Sequence, residues 1–227
     1  MDASAHSKTT AILPVKRLET ALQRLADVVP APARRALAEA MFLDTLAKLR
    51  RSRRLDEVLI VTSADSVARH ARWLGHAVLS QPEDVGHSEA AVAGARAAEA
   101  DGAERVAMLA VDCPLLDVDE LDDRLGTTPR AAIIVPDVHG SGTNALVLSP
   151  PDAFEPAFGP DSCARHVSRA RAAGVSFALE QLQSLALDLD SPEDMTKLRD
   201  ELLLDPHAAP KTAKLLWELG AAERTAA

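Results

Sequence analysis

Short apolar runs alternate with longer amphipathic segments along most of the chain, the pattern of strand and helix units stacked around a largely parallel sheet. The runs are Thr10 to Val15, Glu57 to Thr62, Ala77 to Ser80, Val106 to Val111, Ala131 to Val135 and Ala145 to Leu148. Each is mostly Val, Ile, Leu or Ala and is bounded by polar residues or proline, as strands are. A further run, Leu185 to Leu189, predicts the last strand. Between the runs, Ala33 to Leu49 carries Ala36, Ala40, Leu43 and Ala47 at helical spacing, and Phe42, Leu46 and Leu49 widen the apolar arc. A well-buried helix is predicted there. Ser66 to Leu74, Ser88 to Ala100, Asp117 to Leu125 and Cys163 to Ala173 read as further helices, the first two entered through serine caps.

Near the end, Ser191, Pro192 and Asp194 supply a serine cap, a first-turn proline and a capping-box acid ahead of Met195, Leu198 and Leu202. Pro206 and Pro210 then break the helix, and Leu215, Leu216 and Leu219 predict a short amphipathic one. The expected organisation is a flexible lead over residues 1–10, an α/β domain over 11–204 and a C-terminal helical appendage over 205–227.

Composition narrows the function. With 227 residues, 47% of them hydrophobic, the chain can bury a substantial core. Aromatic residues make up only 3% and tyrosine is absent, so platforms for base stacking are scarce. The formal charge of -9 repels a polyphosphate backbone, and nucleic acid is not an expected partner. Arg50, Arg51, Arg53 and Arg54 cluster where a helix should end, a position that favours cations. Cys113 and Cys163 have neither zinc-ligand spacing nor a disulfide framework. No apolar signal core opens the chain and no stretch reaches membrane-spanning length, so no membrane partner is expected and the cytoplasm is the expected location.

Ligands of open parallel sheets collect beyond the carboxyl ends of the strands, which directs attention to the polar residues there. Val106 to Val111 runs directly into Asp112 and Pro114. Asp188 and Asp190 are two apart, a spacing that puts both carboxylates on one face of an extended segment. Together the three acids suit Mg²⁺, a hard cation bound by few carboxylates plus waters and substrate phosphates. Turn and cap roles for Asp112 and Asp190 are the competing readings. The loop Gly140, Ser141, Gly142, Thr143, Asn144 offers backbone amides and a hydroxyl to an anion, or a plain turn. Gly159, Pro160, Asp161 and Ser162 stand at the start of a helix, as an anion site or as ordinary caps, and His166 follows Ser162 by one turn. Lys16 and Arg24 follow the first strand, where cations suit a triphosphate. Neither a P-loop nor a G-x-G-x-x-G fingerprint is present.

In order along the chain, LPVK at Leu13 to Lys16, Ala40, Met41, Asp44 and Thr45, VDCP at Val111 to Pro114, GSGTNAL at Gly140 to Leu146, FGPDSCARH at Phe158 to His166 and DLDSPEDM at Asp188 to Met195 resemble one family. It is the 2-phospho-L-lactate guanylyltransferase family with its phosphoenolpyruvate branch, and the match covers about residues 11 to 204. The resemblance implies a Rossmann-like, glycosyltransferase-A-like nucleotidyltransferase fold, a three-layer sandwich on a mostly parallel central sheet. It implies GTP and Mg²⁺, with GMP passed to the phosphate of a phosphorylated three-carbon acid in coenzyme F420 biosynthesis. Asp112, Asp188 and Asp190 are the implied metal carboxylates; Thr143, Asn144, Gly159, Ser162 and His166 the implied acid-site residues. Lys16 and Arg24 are implied at the GTP phosphates, with Gly86 and Ser88 at the nucleotide. Leu22 stands where the family carries a lysine, and Gly86, His87 and Ser88 replace its GLN. Those departures raise a second reading, a catalytically impaired relative that binds nucleotide or acid as a regulatory partner. A homodimer stays open.

Overall fold

The computed structural model describes residues 7–127 and 131–226, so the expected lead is described only from Ser7 onward. Strand β1 (Thr9–Pro14) is flanked by β2 (Glu57–Thr62) and β4 (Arg105–Leu109), both parallel to it, and β3 (Ala77–Ser80) adds in parallel beyond β2. Strands β5 (Ala132–Pro136) and β6 (Thr143–Leu148) form a hairpin, and β7 (Phe177–Leu179) pairs parallel with β5 at the far edge. The order is β3-β2-β1-β4-β6-β5-β7, with β6 antiparallel to both neighbours.

Alternation along the strands builds two cores. Ala11, Leu13, Ile60, Ala107, Leu109, Ile133 and Val147 face one side of the sheet. Helices α1 (Ala31–Leu49), α2 (Asp65–Trp73) and α4 (Val118–Thr127) cover it, and Phe42 of α1 is 1% exposed. Such a side chain stabilises the fold by roughly 1.5–3 kcal/mol through burial. Ile12, Val61, Met108, Ile134 and Leu146 face the other side, under α3 (His87–Ala100) and α5 (Ser162–Ala172). Alanine predominates on α3, and Gly94 touches the sheet so closely that a Cβ there would lie 2.5 Å from Ile12 Cγ2. The result is the three-layer α/β sandwich expected from the sequence.

A third apolar cluster joins α1 to α6 (Pro192–Leu204) and α7 (Pro210–Ala226) through Leu37, Met41, Leu198, Leu202, Ala213 and Leu216. The predicted capping box opens α6: Ser191 Oγ accepts from the Asp194 N–H at 3.2 Å, and Asp194 Oδ2 accepts from the Ser191 N–H at 2.9 Å. Helix α7 is capped from outside itself. Buried Asp44 of α1 accepts from the N–H groups of Lys211 at 3.3 Å and Thr212 at 2.9 Å, and from the Thr212 hydroxyl at 2.9 Å. These are donors that a helix start leaves without intrahelical partners.

Two predicted elements differ. Leu185 to Leu189 is not a strand: a 3-10 turn, Gln183–Leu185, leads into irregular chain crossing the end of the sheet. It is apolar because Leu185 enters the first core and Leu189 the third. The seventh strand is β7 instead, too short to stand out as an apolar run. Thr143 and Asn144, placed in a loop by the sequence pattern, are the first residues of β6.

Candidate active site

The carboxyl ends of β1, β2, β3 and β4 share one edge, and the connection order reverses about β1, with β2 and β3 to one side and β4 to the other. A crevice at such a reversal is where α/β sheets bind ligands. On the β2–β3 side it is lined by Lys16, Ser63, Gln81, Asp84, Gly86 and His87. On the β4 side it meets Asp112 and the crossing segment with Asp188 and Asp190.

That segment is pinned to the end of β4. The Leu189 N–H donates to the Asp112 carbonyl at 2.9 Å, and buried Asn144 donates its amide to the Leu185 carbonyl at 2.8 Å and to Asp188 Oδ1 at 3.4 Å. With Leu189 turned into the core, Asp188 and Asp190 face outward together. Burial, then the charges of Asp188 and Asp190, push the Asp112 carboxyl up to about 7, with Lys16 pulling the other way. Asp188 is also raised, chiefly by burial, against its Asn144 hydrogen bond. Crowded carboxylates of this kind are relieved by a cation. Among the described residues no three His, Cys, Asp or Glu side chains form a ready-made cage. The donors are all oxygen, which fits a hard cation that brings waters and substrate phosphates to complete its shell. Arg24 is drawn to the same group, its Nη1 2.8 Å from Asp190 Oδ2 in an exposed pair.

Of the predicted acid-site residues, Thr143 and Ser162 gather around a third, the buried His166. The Ala157 N–H donates to His166 Nε2 at 2.8 Å, so the ring proton sits on Nδ1, which donates to Thr143 Oγ1 at 3.0 Å. Ser162 Oγ lies 3.1 Å from the same oxygen. Ser162 is the donor of that pair, so Thr143 Oγ1 accepts from both His166 and Ser162. Burial, then Arg169 and Arg165, lower the His166 pKa to about 4, and the ring is neutral near pH 7. Next to it, Gly159 at φ 102° and Asp161 at φ 53° both occupy the left-handed region, a conformation that costs energy for a non-glycine residue and that functional loops tend to hold.

Several predicted site residues have partners within the protein. His166, expected at the acid, is 0% exposed with both nitrogens engaged, one by the Ala157 N–H and one by Thr143 Oγ1. Asn144, expected at the acid, holds the Leu185 carbonyl and Asp188. Ser88, expected at the nucleotide, donates its hydroxyl to the Phe158 carbonyl at 3.2 Å. The Ser141 amide is taken by Asp137 at 2.9 Å, and the Ser141 carbonyl by the Cys163 N–H at 3.1 Å. The Gly140 loop is therefore a hairpin tied to α5, not an open anion nest. Leu22, at φ 53°, packs half-buried against the first and third apolar clusters. Phe158 and Asp84 were not singled out by sequence, although Phe158 lies inside a quoted motif, and His87 was noted only as part of the stretch that replaces GLN.

A family model described as "Guanylyl transferase CofC like" matches residues 9–214. A phosphoenolpyruvate guanylyltransferase of Conexibacter woesei is 43% identical over 93% of this chain and 96% of its own length. A 2-phospho-L-lactate guanylyltransferase of Methanothermobacter thermautotrophicus is 31% identical over 84% of each chain. A putative nucleotide-diphospho-sugar transferase structure from Desulfovibrio desulfuricans superposes with a TM-score of 0.78 at 21% identity, covering 96% of this chain and 98% of that one. Its likeness carries the fold. With the model match spanning sheet, crevice and most of the helical third cluster, the chain belongs to the CofC-like guanylyl transferase family.

Proposed function

We infer that the protein is a nucleotidyltransferase that transfers GMP from GTP to the phosphate of a phosphorylated three-carbon acid, releasing pyrophosphate, in coenzyme F420 biosynthesis. Phosphoenolpyruvate and 2-phospho-L-lactate are the acids of the relatives described. The observation that carries this reading is the adjacency, at one sheet edge, of crowded carboxylates and a hydroxyl pair joined through Asn144 and Thr143, consecutive residues of β6.

An oxygen of the acid's phosphate attacks the α-phosphorus, and the bond to pyrophosphate breaks. The acceptor is already ionised near neutral pH, so orientation and charge balance matter more than a base. Asp112, Asp188 and Asp190 would hold Mg²⁺, which would neutralise the triphosphate and the leaving pyrophosphate. Lys16 faces the same crevice, and Arg24 exchanges Asp190 for a phosphate. Thr143 and Ser162 offer their spare hydroxyl proton to the acid, beside the exposed backbone of Gly159. A binding-only relative was suggested by Leu22 and Ser88. The first packs into the core boundary and the second bonds the acid-side loop, so neither alters the carboxylate group.

Pyrophosphate release with Mg²⁺, across ATP, GTP, CTP and UTP and across phosphoenolpyruvate, 2-phospho-L-lactate and 3-phosphoglycerate, tests the reading. Release is expected with GTP and one acid, and Asp188→Asn is expected to lower it about 100-fold or more. Silence across the grid in folded protein refutes it.

A further inference from the structure

Phe158 bridges the two halves of the crevice. On the nucleotide side its ring lies 4.6 Å from the His87 ring, and its carbonyl accepts from Ser88 Oγ at 3.2 Å. On the acid side the ring stands edge-on to His166 at 5.0 Å, and the same carbonyl accepts from Arg165 Nη2 at 2.8 Å. The preceding peptide is held by His166 through the Ala157 N–H, and the following residue is Gly159, with its left-handed backbone. His87 and Ser88 open α3 directly after Gly86 of the nucleotide side.

We propose that His87 and Ser88 are positioning residues for the acid: they clasp Phe158 and so set the Gly159 loop from the nucleotide side of the crevice. The proposal rests on the transferase reading above and adds to it. It makes the Gly86, His87, Ser88 stretch a loop fastener rather than a reader of the base. The ring of His87 is desolvated, and its neutral form packs against Phe158 as an aromatic surface. The Ser88 hydroxyl supplies direction, fixing the carbonyl and with it the turn into Gly159.

Two measurements test it. In ligand-free protein, amide hydrogen exchange across residues 157–161 is expected to speed up about tenfold in the His87→Ala, Ser88→Ala double variant, on the scale of one or two lost contacts. His87→Phe with Ser88→Thr, which keeps ring and hydroxyl, is expected to restore protection. In turnover, the double alanine variant is expected to raise the KM for the acid about threefold to tenfold and to change that for GTP less than about twofold. A rise confined to the GTP KM overturns the proposal and assigns the stretch to the nucleotide. Unchanged exchange at 157–161 also overturns it, whatever the substrates prove to be. Absent turnover in the wild type, with the exchange difference intact, would count against the transferase reading and leave the clasp standing.

Discussion

Replacing His166 by Phe keeps a ring of similar size but removes both nitrogens. The Ala157 N–H then has no acceptor and Thr143 loses a donor inside a site where His166 is 0% exposed. An unsatisfied buried donor plus a lost hydrogen bond costs roughly 2–4 kcal/mol. That cost is not constant with pH. The folded-state pKa of His166 is about 4 against 6.5 for the free side chain, so the unfolded chain takes up the proton first as pH falls. The stabilisation this histidine gives is complete above pH 6.5, fades as pH drops toward 4, and is gone below. At about 1.4 kcal/mol per pH unit, the interval is worth about 3 kcal/mol, close to the cost of the substitution itself. Urea unfolding of both proteins from pH 8 to pH 4 is therefore expected to give curves separated by about 3 kcal/mol at the alkaline end that converge toward the acidic end. His87, also lowered to about 4 by burial and then by Lys16, contributes the same slope to both proteins and cancels in the difference. A gap that stays constant across the range would refute the assignment of a neutral, doubly bonded His166.

Asp44→Ala is expected to destabilise the fold by about 2–4 kcal/mol, because it strips the two amides and the hydroxyl at the start of α7 of a buried charged acceptor. Thermal melts check it, and a loss below about 1 kcal/mol would contradict the role assigned to that cap. Leu22→Lys exchanges half-buried apolar surface for a cation two residues before Arg24, so stability should fall by about 1 kcal/mol while the KM for GTP falls. A higher KM for GTP would mean that this segment does not face the triphosphate.

The architecture was legible because its strands are apolar on both faces and its helices are apolar on one. The capping box at Ser191 was legible for a different reason, being written entirely in local residues. The Leu185 to Leu189 segment misled because burial, not pairing, requires its leucines, and composition alone does not separate the two. β7 escaped because three residues carry no period. Candidate acids could be named from their places after apolar runs, but their partners could not. That Asn144 would hold Asp188, or that Ser88 would bond Phe158, depends on residues 44 and 70 positions apart meeting across the sheet edge. His166 was found for its spacing from Ser162, but sequence spacing does not report what lies on the other side of the ring.

The Asp44 cap has a consequence for how the chain is made. The carboxylate and the Thr212 amide it receives are 168 residues apart, so one closes on the other only after nearly the whole chain is available. Contacts of that separation form late and slowly, since a long loop must be ordered before they repay it. During synthesis the sheet and its flanking helices can assemble while the face of α1 carrying Leu37 and Met41 still waits for α7. For that interval the growing chain presents an apolar stripe that the finished protein hides, and a chaperone or a slow ribosome would have its greatest effect there.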